Sequence, residues 1–225
     1  MRKRLLLCTL LIVFILSFTG CKKKESSKGF NPPMEGITWG MTQKEAIAVI
    51  GDAEYQTIEL DDGMHIALIL ADPITKFGSE AQIYLLFSKE LCKSTDNGGR
   101  LQAVVMRYPN ITEEQLLTNM TDEMGDVTRD STPTKEVKNY IWDSKAVLKD
   151  LAKKDYEAIK NFMTNNESSK QLVDPDTGVA FTAPPDQQPI NAIALKKITS
   201  ADGDSLSVVY YGDWAYLLKV IKEEQ

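Results

Sequence analysis

The sequence predicts an α+β fold: an antiparallel sheet with helices packed on one face. Three observations predict it. Short apolar stretches such as Ile83, Leu85 and Phe87 repeat with the period of two of a half-buried strand. Turn-forming clusters, Asp61-Asp62-Gly63 and Asn97-Gly98-Gly99, separate these stretches where crossover helices would otherwise stand. The helical stretches are few and lack the alternating βα order of a parallel sheet.

The elements follow in chain order. Met1-Arg2-Lys3-Arg4 is basic, and Leu5 to Phe18 is apolar except at Cys8, Thr9 and Ser17. At ~1.5 Å per residue this run spans about 21 Å, against a hydrocarbon core of roughly 30 Å. It is too short for a stable transmembrane helix and suits the apolar region of a secretory signal over residues 1–20. Phe18-Thr19-Gly20-Cys21 then resembles the bacterial lipobox, in which a large apolar residue and two small ones precede a cysteine. The resemblance implies cleavage before Cys21 and diacylglycerol on its thiol, hence a protein anchored on the extracytoplasmic side of a bacterial cell membrane. Lys22, Lys23 and Lys24 follow at once, and each adds ~1 kcal/mol of attraction to an anionic headgroup layer. Residues 21–36, rich in Lys, Ser and Pro, read as a flexible tether.

Loss of the signal changes the charge balance. Of 26 basic residues, removal of Arg2, Lys3 and Arg4 leaves 23 against 32 acidic ones, a formal charge of −9. Such a body repels phosphate backbones, which argues against nucleic acid as a partner. Of three cysteines, Cys8 leaves with the signal and Cys21 is acylated, so Cys92 stands alone. No intramolecular disulfide is available, and the fold must rest on its apolar core.

Two α+β units are expected, at 37–109 and 110–225. Thr42-Gln43-Lys44-Glu45 is a capping box that predicts a helix to Ile50, with Ala46, Ile47 and Ile50 inward and a left-handed cap at Gly51. Strands are expected at 55–60, 65–70, 81–87 and 100–108. A second box, Thr112-Glu113-Glu114-Gln115, opens a helix with Leu116, Leu117, Met120 and Met124 on one side and Gly125 at its end. The repeated order (capping Thr, helix, Gly-Asp) suggests an internal duplication. Further on, a strand is expected at 137–142 and a helix at 144–163. Residues 164–189, with Pro175, Pro184 and Pro185, form a long loop. Strands at 192–198 and 206–211, joined by Ala201-Asp202-Gly203-Asp204, and a helix at 214–222 capped by Asp213 complete the chain.

Trp39-Gly40-Met41-Thr42, Glu45-Ala46 and Ile50-Gly51 resemble a signature of small secreted α+β proteins. That group includes β-lactamase inhibitory proteins and the small lipoprotein subunit of the outer-membrane barrel assembly machine. The resemblance implies helices on one face of an antiparallel sheet, sometimes as tandem units, and action by binding other proteins.

Residues suited to catalysis are sparse. His65 is the one histidine, set in an apolar strand where a hydrogen-bonded structural role is the plain expectation. It has no second histidine for a zinc site and no Gly-x-Ser-x-Gly elbow beside it. Cys92 lies between Leu91 and Lys93 and reads as a small buried hydrophobe. Asp174-Pro175-Asp176-Thr177-Gly178 has the acid spacing of a calcium loop, but its glycine comes one position early and the glutamate at position twelve is missing. Tyr210, Tyr211, Trp214 and Tyr216, with Trp39 and Trp142, are weighed as core before interface. No cofactor or metal is expected. The leading expectation is a non-enzymatic, lipid-anchored envelope protein that binds another macromolecule. A solute-capturing lipoprotein and a carboxylate-dependent cell-wall hydrolase are the alternatives; two acids facing each other about 5–10 Å apart would mark the latter.

Overall fold

A computed structural model describes residues 30–224 except 62, 92–97, 133, 145, 166–185, 187–188 and 202. The signal, Cys21, Lys22, Lys23, Lys24, Cys92 and the Asp174–Gly178 loop therefore lie outside the described residues, as does most of 164–189.

Thr42 opens helix α1 (Gln43–Ile50). Its hydroxyl accepts from the Glu45 amide at 3.2 Å, and Glu45 Oε2 accepts from the Thr42 amide at 2.7 Å. Helix α2 (Glu113–Met124) opens on the same reciprocal pair, Thr112 with Gln115. Both helices end on a glycine whose N–H returns to the preceding turn, Gly51 to Ile47 and Gly125 to Thr121. Their φ values are +65° and +86°, but ψ is −126° and −169°, so neither sits in the expected left-handed helical well. That corner of backbone space is open to glycine almost alone.

The strands are β1 (Tyr55–Glu59), β2 (His65–Leu70), β3 (Ile74–Lys76), β4 (Ser79–Ser88), β5 (Arg100–Arg107), β6 (Arg129–Ser131), β7 (Val137–Asp143), β8 (Ala192–Ser200) and β9 (Gly203–Tyr211). They form one antiparallel sheet in the order β1-β2-β4-β5-β9-β8-β7-β6, with β3 paired to β4 alone. Each half of the chain thus contributes a capped helix followed by a meander, and the last strands of the halves pair at the centre. The pairs Ala103 with Tyr211, Val105 with Val209 and Arg107 with Ser207 form this seam.

The two faces of the sheet differ. On one, Leu68, Ile83, Leu85, Phe87, Val104, Met106, Trp142, Ile193, Leu195, Val208 and Tyr210 meet Ala46 of α1 and Leu116 and Met120 of α2 in a single buried cluster. That core crosses the seam, so the halves share it. The other face is lined by smaller residues, among them Ala67, Ala103, Val105, Ala192, Ala194 and Val209.

Helices α3 (Lys153–Asn165) and α4 (Trp214–Glu224) pack on each other in a third cluster that takes in Leu91, Leu148, Ile159, Phe162, Trp214, Leu217 and Ile221. Asp213 caps α4 as expected, accepting from the Ala215 amide at 2.8 Å. The helix expected at 144–163 is corrected to 153–165. Val147 is extended and bridges Pro189, Leu148–Asp150 is a 3₁₀ turn, and Leu151 is extended again. Leu148 and Leu151, three residues apart, match the three-residue turn of a 3₁₀ helix as well as an α-helical stripe.

The packed body begins earlier than Ile37. Phe30 and Met34 lie against the main core, and the Trp39 indole donates to the Phe30 carbonyl at 3.1 Å. Residues 30–36 of the expected tether are therefore seated on the globule.

Candidate functional site

A large concavity among the described residues lies where the sheet is ragged. β5 stops at Arg107; the Tyr108 amide makes one more bond, to the Leu206 carbonyl at 2.9 Å, and Pro109 then turns the chain away without a donor. The β8–β9 hairpin runs on past this point to a tight turn between Ser200 and Gly203. Beneath the overhang lies an open groove of about 1330 Å³ that reaches both sides of the sheet.

One bank is an ion network built on the first residue of α2. The Glu113 carboxylate accepts from Tyr140 Oη at 2.6 Å, Lys197 Nζ at 3.0 Å and Lys138 Nζ at 3.3 Å. Lys197 also reaches Asp204 at 2.8 Å. The Tyr140 hydrogen bond, followed by the two lysines, holds the Glu113 carboxyl below its ordinary range, and the α2 N-terminus favours an anion there as well. Lys197 likewise draws the Asp204 carboxyl down. Burial and then the bond to Glu113 push the Tyr140 hydroxyl up.

The other bank carries Gln82, Arg107 and Ser207, in register on three strands, and the polar row continues beyond the groove through Lys196 and Asn139. Neighbouring strands are ~4.8 Å apart, so the row is roughly 19 Å long. Arg107 stacks over the Tyr84 ring at 4.7 Å and donates to its hydroxyl at 3.2 Å. The Lys138 ammonium sits 4.6 Å over the Tyr140 ring, so each bank presents a cation on a tyrosine. Ser207 is 3 % exposed, and its hydroxyl has no hydrogen-bond partner among the described residues.

This arrangement bears on the hydrolase alternative. Glu113 and Asp204 share Lys197 and line one groove. A glycosidase needs one of its carboxyls protonated, with a raised pKa. Glu113 is held down first by Tyr140 and then by the lysines, and Asp204 by Lys197, the direction opposite to the one an acid catalyst requires.

His65 lies in β2 with Nε2 3.4 Å from Gln102 Oε1. Its cross-strand neighbour Ser88 is fully buried and out of reach of a substrate. Among the described residues no group of three His, Cys, Asp or Glu side chains is placed to hold a metal. The aromatic residues divide: Trp39, Trp142, Tyr210, Tyr211 and Trp214 are buried, whereas Tyr216 is 52 % exposed. Tyr84, Arg107 and Lys197 had escaped sequence reasoning, because only the strand register brings them together. Comparison with protein-family models, curated proteins and solved structures gives no match. No helix among the described residues is long and apolar enough to cross a membrane.

Proposed function

We propose that the chain is a lipid-anchored cell-envelope protein that binds another macromolecule, with the groove beneath the β8–β9 hairpin as its contact surface. The groove is the observation that carries this reading. At about 1330 Å³ it is larger and more open than the roughly 300–1,000 Å³ clefts that enclose small ligands. Its lining includes Tyr84, Tyr108, Tyr140 and Arg107, residue types enriched at interface hot spots. The basic start, short apolar run and Phe18-Thr19-Gly20-Cys21 support the anchor, in which Cys21 carries the lipid and Lys22, Lys23 and Lys24 meet the headgroups. One buried cluster is shared by both halves across the seam, which weighs against a two-lobed solute trap.

The test is crosslinking and pull-down of the lipidated chain from its own envelope, run in parallel with Tyr84→Ala and Arg107→Glu. A specific partner recovered by the native chain and reduced at least tenfold by either substitution is expected. Recovery of no specific partner, or of the same partner unchanged by both, would overturn the reading.

A further inference from the structure

Two of the five large apolar side chains exposed among the described residues, Val49 and Tyr216, flank the place where the chain enters the globule. Residues 31–39 and Tyr216 of α4 enclose a crevice of about 410 Å³. Val49 of α1 lies against the same segment, for a methyl group added at Gly36 would come within 2.9 Å of Val49 Cγ1. Lys219, three residues beyond Tyr216 and thus on the same side of α4, has its side chain 78 % exposed, with Nζ 3.9 Å from Glu223.

Covalent length decides what lies near this surface. Eight residues, Lys22 to Gly29, separate Cys21 from Phe30, and four of them are lysine. Fully extended, eight residues reach about 30 Å, so covalent length alone keeps Phe30 within that distance of Cys21. A surface held so near a bilayer meets it at high effective concentration, so even weak contacts are populated. Tyrosine settles at the membrane–water interface, ring toward the chains and hydroxyl toward water, and an exposed lysine is drawn to anionic headgroups.

We propose that the surface formed by Tyr216, Val49, Met34 and Lys219 is a membrane-contact face that rests in the headgroup region of an anionic bilayer. The inference rests on Cys21 carrying the lipid, and it adds a second point of contact that fixes how the globule is oriented. The experiment uses the full lipidated chain, with Cys92→Ser, reconstituted in vesicles of three parts phosphatidylcholine to one part phosphatidylglycerol. Nitroxide labels are placed singly at Tyr216→Cys and, as the distant control, at Asp130→Cys on β6. Their collision rates with membrane-soluble oxygen and a water-soluble nickel chelate are compared, and intact mass reports the state of Cys21. The oxygen-to-nickel ratio at 216 is expected to exceed that at 130 by at least threefold, and to fall to parity when Val49→Glu and Lys219→Glu are added. Equal ratios at 216 and 130 with Cys21 diacylated overturn the contact face and leave the anchor standing. An unmodified Cys21 overturns the anchor, and the contact face with it.

Discussion

The first and second halves of the chain are built on one plan and finished differently. Each opens on a threonine-capped helix closed by a glycine, and each sends its final strand to the centre of the sheet. The first half carries a 3₁₀ turn, Lys89–Leu91, after β4 and no α-helix between its strands among the described residues. The second inserts a 3₁₀ turn, α3 and a long connection between β7 and β8, and adds α4 after β9. The shared plan supplies the sheet and the helix layer. The additions build the third cluster and the surface where the chain enters, while the unequal lengths of β5 and the β8–β9 hairpin open the groove. New surface therefore comes from where the halves diverge.

The sharpest way to break this comparison is to ask whether the halves unfold separately. Leu85 and Leu195 are both fully buried in the core that crosses the seam. Leu85→Ala and Leu195→Ala should each cost about 2–5 kcal/mol and leave a single urea transition. Two transitions in either variant would show that the halves are independent domains.

The terminating glycines come next. Gly51→Ala and Gly125→Ala should each destabilise by about 1–3 kcal/mol, since alanine cannot hold these dihedrals without strain. A methyl group meets nothing within 4 Å at either place, so the cost is backbone conformation alone. Equal losses in thermal unfolding would support equivalent roles, and a loss below 0.5 kcal/mol at either, on the same scale of roughly 1–3, would remove that helix from the comparison.

The caps should separate the halves slightly. Thr42 is 8 % exposed and Thr112 is more open, so Thr42→Ala should cost about 1–2 kcal/mol and Thr112→Ala about 0.5–1. The reverse order, measured by denaturant titration, would contradict the burial argument.

The smallest effect is electrostatic. Each half holds one carboxyl below its ordinary range at a helix start: Glu45 through the Thr42 amide and hydroxyl, Glu113 through Tyr140 and the two lysines. A carboxyl depressed in the folded state stabilises fully above its unfolded pKa, and that contribution disappears as pH falls through the folded value. Glu113→Gln should therefore lose less than about 1 kcal/mol at pH 7, because its partners are partly solvated. Its stability should then fall less steeply than that of the native chain below pH 4.5, the range set by an ordinary carboxyl pKa of about 4.3. An unchanged acid slope would show that the network contributes nothing.

The sequence was most readable where chemistry is local. Thr-x-x-Glu, Thr-x-x-Gln and the terminal glycines located α1 and α2 to the residue, because capping is settled within four positions. Alternation at Ile83, Leu85 and Phe87 located β4 and its inward face, and apolar stretches located β2, β5, β8 and β9. β3 and β6 were missed for a physical reason: Ile74-Thr75-Lys76 and Arg129-Asp130-Ser131 are three residues each, too short to show a period, and β6 is wholly exposed. The groove was illegible because its banks join Glu113 to Lys197 and Gln82 to Ser207, and only the register of non-adjacent strands makes these neighbours.

The central seam also governs when the protein can become itself. Strand β5 finds its partner about a hundred residues later in the chain, and that partner follows every other described strand. Until it arrives, β5 presents an open edge of Leu101, Val104, Val105 and Met106 to any other chain nearby. Maturation must wait for the C-terminal strand, so a chain cut short before residue 203 should accumulate as aggregate rather than as half a protein.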